Sequence, residues 1–139
     1  MTDVARQKAD LIVAAARERK AFDLVLLKVD HFTTIADYFF ICSGRSNRQV
    51  QSVAEHIQAQ VKKTGGFRPL GTEGLGQGHW VLLDYGDVVV HVFYEPVRRI
   101  YDLESLWIEA QKMDLGFKDE SGIRPFHRTD TLLEKDGRP

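Results

Sequence analysis

The chain has 139 residues, 43% of them hydrophobic and 28% charged, with a formal net charge of -1 and a pI near 6.5. That is enough for one domain with a core and too little for two, and the composition is that of a folded globular chain rather than a disordered one. A near-neutral chain has no overall basic footprint, which argues against a domain that holds nucleic acid chiefly by neutralising phosphates. With a single cysteine, Cys42, no internal disulfide can form. The chain has no run of about eighteen apolar residues and no signal-peptide stretch, so the expectation is a cytoplasmic protein that does not span a membrane.

From Asp3 to Arg19, Ala5, Ala9, Ile12, Val13 and Ala16 recur at helical spacing, and Arg17, Arg19 and Lys20 lie where a helix C-terminus favours cations. Phe22 to Val29 contains the continuous apolar run Leu24-Val25-Leu26-Leu27, the pattern of a strand covered on both faces, and Tyr38 to Cys42 reads as a second such strand. Ser46 followed by Gln49 forms a capping box for a helix reaching Lys63. Its Val50, Val53, Ala54, Ile57 and Val61 form one stripe, and Gly65-Gly66 end it.

Phe67 to Leu70 reads as a short edge strand, because Pro69 lacks a ladder donor. The run Gly71 to Gly78 follows, with four glycines in eight residues, and reads as a flexible connector or recognition loop. Trp80 to Leu83, the turn Asp84-Tyr85-Gly86-Asp87 and Val88 to Phe93 read as a hairpin, with Gly86 free to take a positive φ. Pro96 stops the strand, and Asp102 reads as the N-cap of a helix carrying Leu103, Leu106 and Trp107. Apolar periodicity fades beyond Met113. The expected organisation is a domain over residues 1–113 and a loosely ordered tail over 114–139 that docks weakly through Phe117, Ile123 and Phe126.

The order of elements implies an α/β fold, a mixed β-sheet flanked by helices in an α-β-α sandwich.

Chemistry-bearing constellations are scarce. The glycine run lacks both G-x-G-x-x-G and a G-K-[ST] ending and precedes a strand, so it does not fit a phosphate cradle. Asp87 and His91 share a strand face but stand about 13 Å apart, too far for one ion. Asp84 and Asp87 flank a turn whose amides they suit, and His91 reads as a packed, hydrogen-bonded histidine. Cys42 has no basic neighbour in sequence to activate it. Neither an enzyme nor any cofactor or metal is expected. Trp80, Tyr85, Tyr94 and Tyr101, interleaved with Arg98, Arg99, Glu73, Asp84 and Asp87, have the aromatic, arginine and acidic character of protein interfaces, although Trp80 and Tyr101 suit a core equally well.

Trp80, the turn Asp84-Tyr85-Gly86-Asp87, the return strand Val90-His91-Val92 and the stretch Arg98-Arg99-Ile100-Tyr101-Asp102-Leu103-Glu104-Ser105-Leu106-Trp107 together resemble the ribosome silencing factors, the RsfS or Iojap family. Thr34 to Tyr38 and Cys42 to Arg48 extend the likeness, which covers roughly residues 5 to 108. It implies a nucleotidyltransferase-like fold, here without the D-x-D or D-x-E strand pair that magnesium-dependent catalysis needs. It also implies a repressor of translation that binds the large ribosomal subunit through ribosomal protein fourteen, blocks joining of the small subunit when nutrients are short, and makes little direct nucleic-acid contact. Carried over, the contact residues are Trp80 as anchor, Asp84, Tyr85 and Asp87 at the hairpin, and Glu73 and His79 on the approaching loop. Arg98, Arg99 and Tyr101 are assigned to that contact, to holding the last helix or to contact with a neighbouring subunit. A homodimer of the free protein is a further expectation. The rival readings are a magnesium-dependent nucleotidyltransferase and an adaptor for another basic protein.

Overall fold

The computed structural model describes residues 3–116. The apolar residues expected to dock the tail, Phe117, Ile123 and Phe126, lie outside them. The elements in chain order are α1 (Val4–Glu18), β1 (Phe22–Lys28), β2 (Tyr38–Gly44), α2 (Asn47–Gln60), a π turn (Val61–Gly65), β3 (Gly71–Glu73), β4 (Trp80–Asp84), β5 (Val88–Tyr94), α3 (Glu95–Tyr101), a 3-10 turn (Leu103–Trp107) and β6 (Gln111–Lys112). The strands form one sheet in the order β3-β4-β5-β2-β1-β6. β2 and β5 run parallel at its centre, and every other neighbouring pair is antiparallel.

The central strands are apolar throughout because both their faces are covered. Along β5, Val88, Val90 and Val92 meet α1 and α2, where Ala9, Ile12, Val50, Val53 and Ile57 are all fully buried, while Val89 and Phe93 join a second cluster on the opposite face with Val25, Leu27 and Ile41. α3 and the 3-10 turn cover part of that second face with Val97, Leu103 and Trp107. The result is the expected mixed sheet flanked by helices. None of the helices among the described residues is long and apolar enough to cross a membrane.

Local signals act where the residue chemistry demands. Asp3 and Ser46 cap α1 and α2 by accepting from the backbone N–H groups of Arg6 and Gln49. The Gln49 side chain reaches back to the Arg45 N–H (2.6 Å), completing the reciprocal pair one residue earlier than a standard capping box. Gly66 ends the second helical segment at φ +76°.

Two element assignments need correction. Phe67 to Leu70 forms no strand; pairing begins at Gly71, opposite Asp84, because Pro69 cannot donate to a ladder while the Leu70 N–H already bonds the Asp84 carbonyl (2.6 Å). The edge strand therefore starts inside the glycine run. The helix expected after Asp102 instead begins at Glu95, since proline suits the first helical turn. Asp102 ends that helix in the left-handed region at φ +48° and makes no side-chain cap; Leu103 to Trp107 is the short 3-10 turn that follows.

Candidate partner-binding face

Alternation along β4 and β5 places Trp80, Leu82, His91 and Phe93 on the sheet face away from α1 and α2. Trp80 opposes Phe93 in register, and their rings stack with centroids 4.7 Å apart. α3 brings Tyr101 to the same ring at 4.9 Å. Further across the sheet, Phe39 packs edge-on against both His91 (5.4 Å) and Trp107 (4.9 Å). A layer of aromatic rings thus runs over this face. Trp80 is half-buried within it, while Tyr101 keeps 59% and Ile100 78% of its surface exposed.

His91 is the polar centre of the layer. The Trp80 indole Nε1–H donates to His91 Nδ1 at 3.1 Å. Indole nitrogen can only donate, so Nδ1 accepts and the neutral ring carries its proton on Nε2. That Nε2 is buried with no partner among the described residues. Burial pushes the His91 pKa down to about 4, which keeps the ring neutral and the indole bond intact at neutral pH.

Of the expected contact residues, Trp80, Glu73, His79, Arg99 and Tyr101 reach the surface at least in part. Glu73 stands opposite Leu82 on the aromatic face. Arg99 is exposed and lies 3.6 Å from Glu95. Asp84 is half-buried, and its carboxylate accepts the Gly86 N–H at 2.8 Å, the turn role its position suggests. Asp87 pairs with Lys8 of α1 at 2.9 Å.

Two of the expected contact residues are buried. Tyr85 is 3% exposed and belongs to the helix-side core; one step of strand alternation from Asp84 turns it away from the aromatic face, and burial pushes its phenol up to about 12. Arg98 is 6% exposed and bonded within the fold to Glu104, Ser43 and Asp23, which fits the alternative that it holds the last helix. The sequence reading missed His91, Phe93, Leu82 and Phe39 as members of the face, although period-two alternation from Trp80 was enough to group the first three.

The loop before Trp80 is fastened, not slack. The Gln51 amide of α2 donates to the Leu75 and Gly76 carbonyls, both at 3.0 Å, and Gly78 is buried against the Asn47 backbone at φ +72°. Trp80 is therefore delivered from a fixed start. The residues weighed for catalysis are otherwise engaged: Asp84 and Asp87 as above, and Cys42 fully buried with its thiol pushed up to about 12 by desolvation. Among the described residues no three His, Cys, Asp or Glu side chains gather where a metal ion could sit.

Comparison with known proteins adds the lineage. The family model described as "Ribosomal silencing factor during starvation" matches residues 2–137. Ribosomal silencing factor RsfS of Bacillus subtilis (strain 168) is 42% identical over 113 residues, covering 80% of this chain and 95% of that protein. A mouse protein named mitochondrial assembly of ribosomal large subunit protein 1 is 29% identical over 100 residues, covering 70% of this chain and 44% of its own length. A crystal structure from Chromobacterium violaceum superposes with a TM-score of 0.72 at 35% identity, covering 83% of this chain and 94% of that one.

Proposed function

This chain belongs to the ribosomal silencing factor family, and we propose that it binds the large ribosomal subunit through ribosomal protein fourteen and blocks joining of the small subunit. The observation that carries the reading at the level of residues is the aromatic layer of Trp80, Phe93, His91 and Tyr101, left partly open to solvent beside the exposed Glu73 and His79. An aromatic anchor surrounded by polar residues is how protein interfaces concentrate binding energy. Trp80 is the anchor, Tyr101 extends it, and Glu73 supplies the negative charge that steers a basic ribosomal protein and fixes its orientation. Arg99 and His79 form the rim, while Asp84 and Asp87 hold the hairpin turn behind it. The large-subunit assembly named for the mouse relative agrees with a partner on that subunit.

Silencing by occupancy needs no covalent step. It needs a surface whose affinity survives competition from the small subunit, acting in the cytoplasm where subunits exchange. The test is co-sedimentation with separated large and small subunits, followed by a subunit-joining assay. Retention on the large subunit alone, with fewer joined particles, is the expected result. Retention on neither overturns the reading.

A further inference from the structure

Among the described residues the buried polar or charged side chains are Ser43, His91, Arg98 and Glu104, and three of these four meet at one point. Arg98 of α3 donates from Nε and Nη2 to Glu104 Oε2 at 3.2 and 2.6 Å. Its Nη1 donates to Ser43 Oγ on β2 and to the Asp23 carbonyl on β1, each at 2.7 Å. One guanidinium therefore ties α3 and the following 3-10 turn to two strands.

The backbone is shaped to receive it. The β1–β2 register shifts between Phe22 and Val25, and Asp23, inside that bulge, holds φ at +52°. A non-glycine residue in the left-handed region is strained, and such strain is retained where surrounding structure fixes it. Here it accompanies a carbonyl taken up by Arg98.

A seven-residue helix and a five-residue 3-10 turn are too short to hold themselves in place. Yet this segment carries Tyr101 onto Trp80 and Trp107 onto Phe39, both with centroids 4.9 Å apart. A buried ion pair is poor at adding stability, since an apolar pair of similar volume often does as well, but its directional bonds can select one arrangement.

We infer that Arg98 and Glu104 form a latch that positions Tyr101 and Trp107 in the partner-binding face, so that Arg98 sets affinity for the partner without touching it. The inference rests on the proposed contact with the large subunit. Arg98 is thus a positioning residue. Only its planar fork serves Glu104, Ser43 and Asp23 at once, so a lysine recovers part of the effect.

The experiment compares wild type, the double variant Arg98→Met/Glu104→Leu, Arg98→Lys and Ser43→Ala. Readouts are thermal midpoint, near-UV circular dichroism and affinity for purified large subunits. The double variant is expected to keep the wild-type melting temperature to within a few degrees while its near-UV spectrum changes. Its affinity falls about tenfold, the upper part of the range by which substitutions remote from a ligand shift binding. Arg98→Lys and Ser43→Ala fall between it and wild type. A double variant that melts and binds like wild type overturns the latch. If it fails to fold, Arg98→Lys and Ser43→Ala decide, since wild-type affinity in both likewise overturns it. Wild type that binds no large subunit overturns the ribosome reading and the affinity claim with it. In that event an unchanged near-UV spectrum in the folded variants also removes the positioning role.

Discussion

Trp80 has three attachments, a ring stack on Phe93, a tilted ring contact with Tyr101 and a hydrogen bond to His91, and still offers part of its surface to solvent. Trp80→Ala is therefore expected to cost some stability and to weaken large-subunit binding by about 2 kcal/mol or more, the scale of an interface anchor. Titration of binding on a variant shown to be folded by far-UV circular dichroism checks it; unchanged affinity moves the interface elsewhere. His91 makes a second prediction. Its pKa in the folded protein, about 4, lies below the ordinary 6.5, so between those values the unfolded chain binds a proton that the folded chain does not. Stability from this residue is therefore complete above about pH 6.5, declines as pH falls toward 4 and levels off below it. The loss is on the order of 3 kcal/mol. Urea midpoints at pH 7.5 and 4.5 should separate in wild type and draw together in His91→Gln, and equal separations would remove His91 as the cause. At this scale the sequence identified the residue types but not their directions: Tyr85 and Arg98 look like interface residues by composition and are core residues by position.

The element that matters most to the face is the loop from Gly74 to Gly78, because it fixes where β4 begins. A Cβ on Gly74 would run into the Trp80 carbonyl, and one on Gly78 into the Asn47 carbonyl, and both residues hold positive φ; Gly76 has nothing near and no such torsion. Gly74→Ala and Gly78→Ala should each destabilise by more than about 1 kcal/mol, while Gly76→Ala is neutral or slightly stabilising. Thermal melts of the three variants check this, and a flexible connector would tolerate all three equally. The hairpin was legible in advance because strand alternation and a turn glycine are local signals. The edge strand and α3 were displaced because Pro69 and Pro96 each admit two readings, and the choice depends on which partner the neighbouring amides find.

Across the whole molecule, charge is nearly balanced, and the candidate face is aromatic, with the exposed Glu73 offset by the exposed Arg99 rather than a basic patch. Binding through a protein on the large subunit should then depend weakly on salt. A plot of log affinity against log salt is expected to have a slope smaller in magnitude than about 2, because each neutralised phosphate contributes roughly 0.7 to 0.9. A steep slope in sedimentation over a salt series would point to ribosomal RNA as the main contact.

Local pattern sufficed for the elements of the central sheet, the two capped helices, the hairpin and the family, because hydrophobic period, capping residues and turn glycines act within a few positions of one another. Tertiary structure alone decided which face carries the aromatic layer, why Arg98 is withdrawn from solvent, and how Asp23, Ser43 and Glu104 meet around it. Those outcomes join residues up to 75 positions apart in the chain, and no periodicity records which distant carbonyl a guanidinium will find.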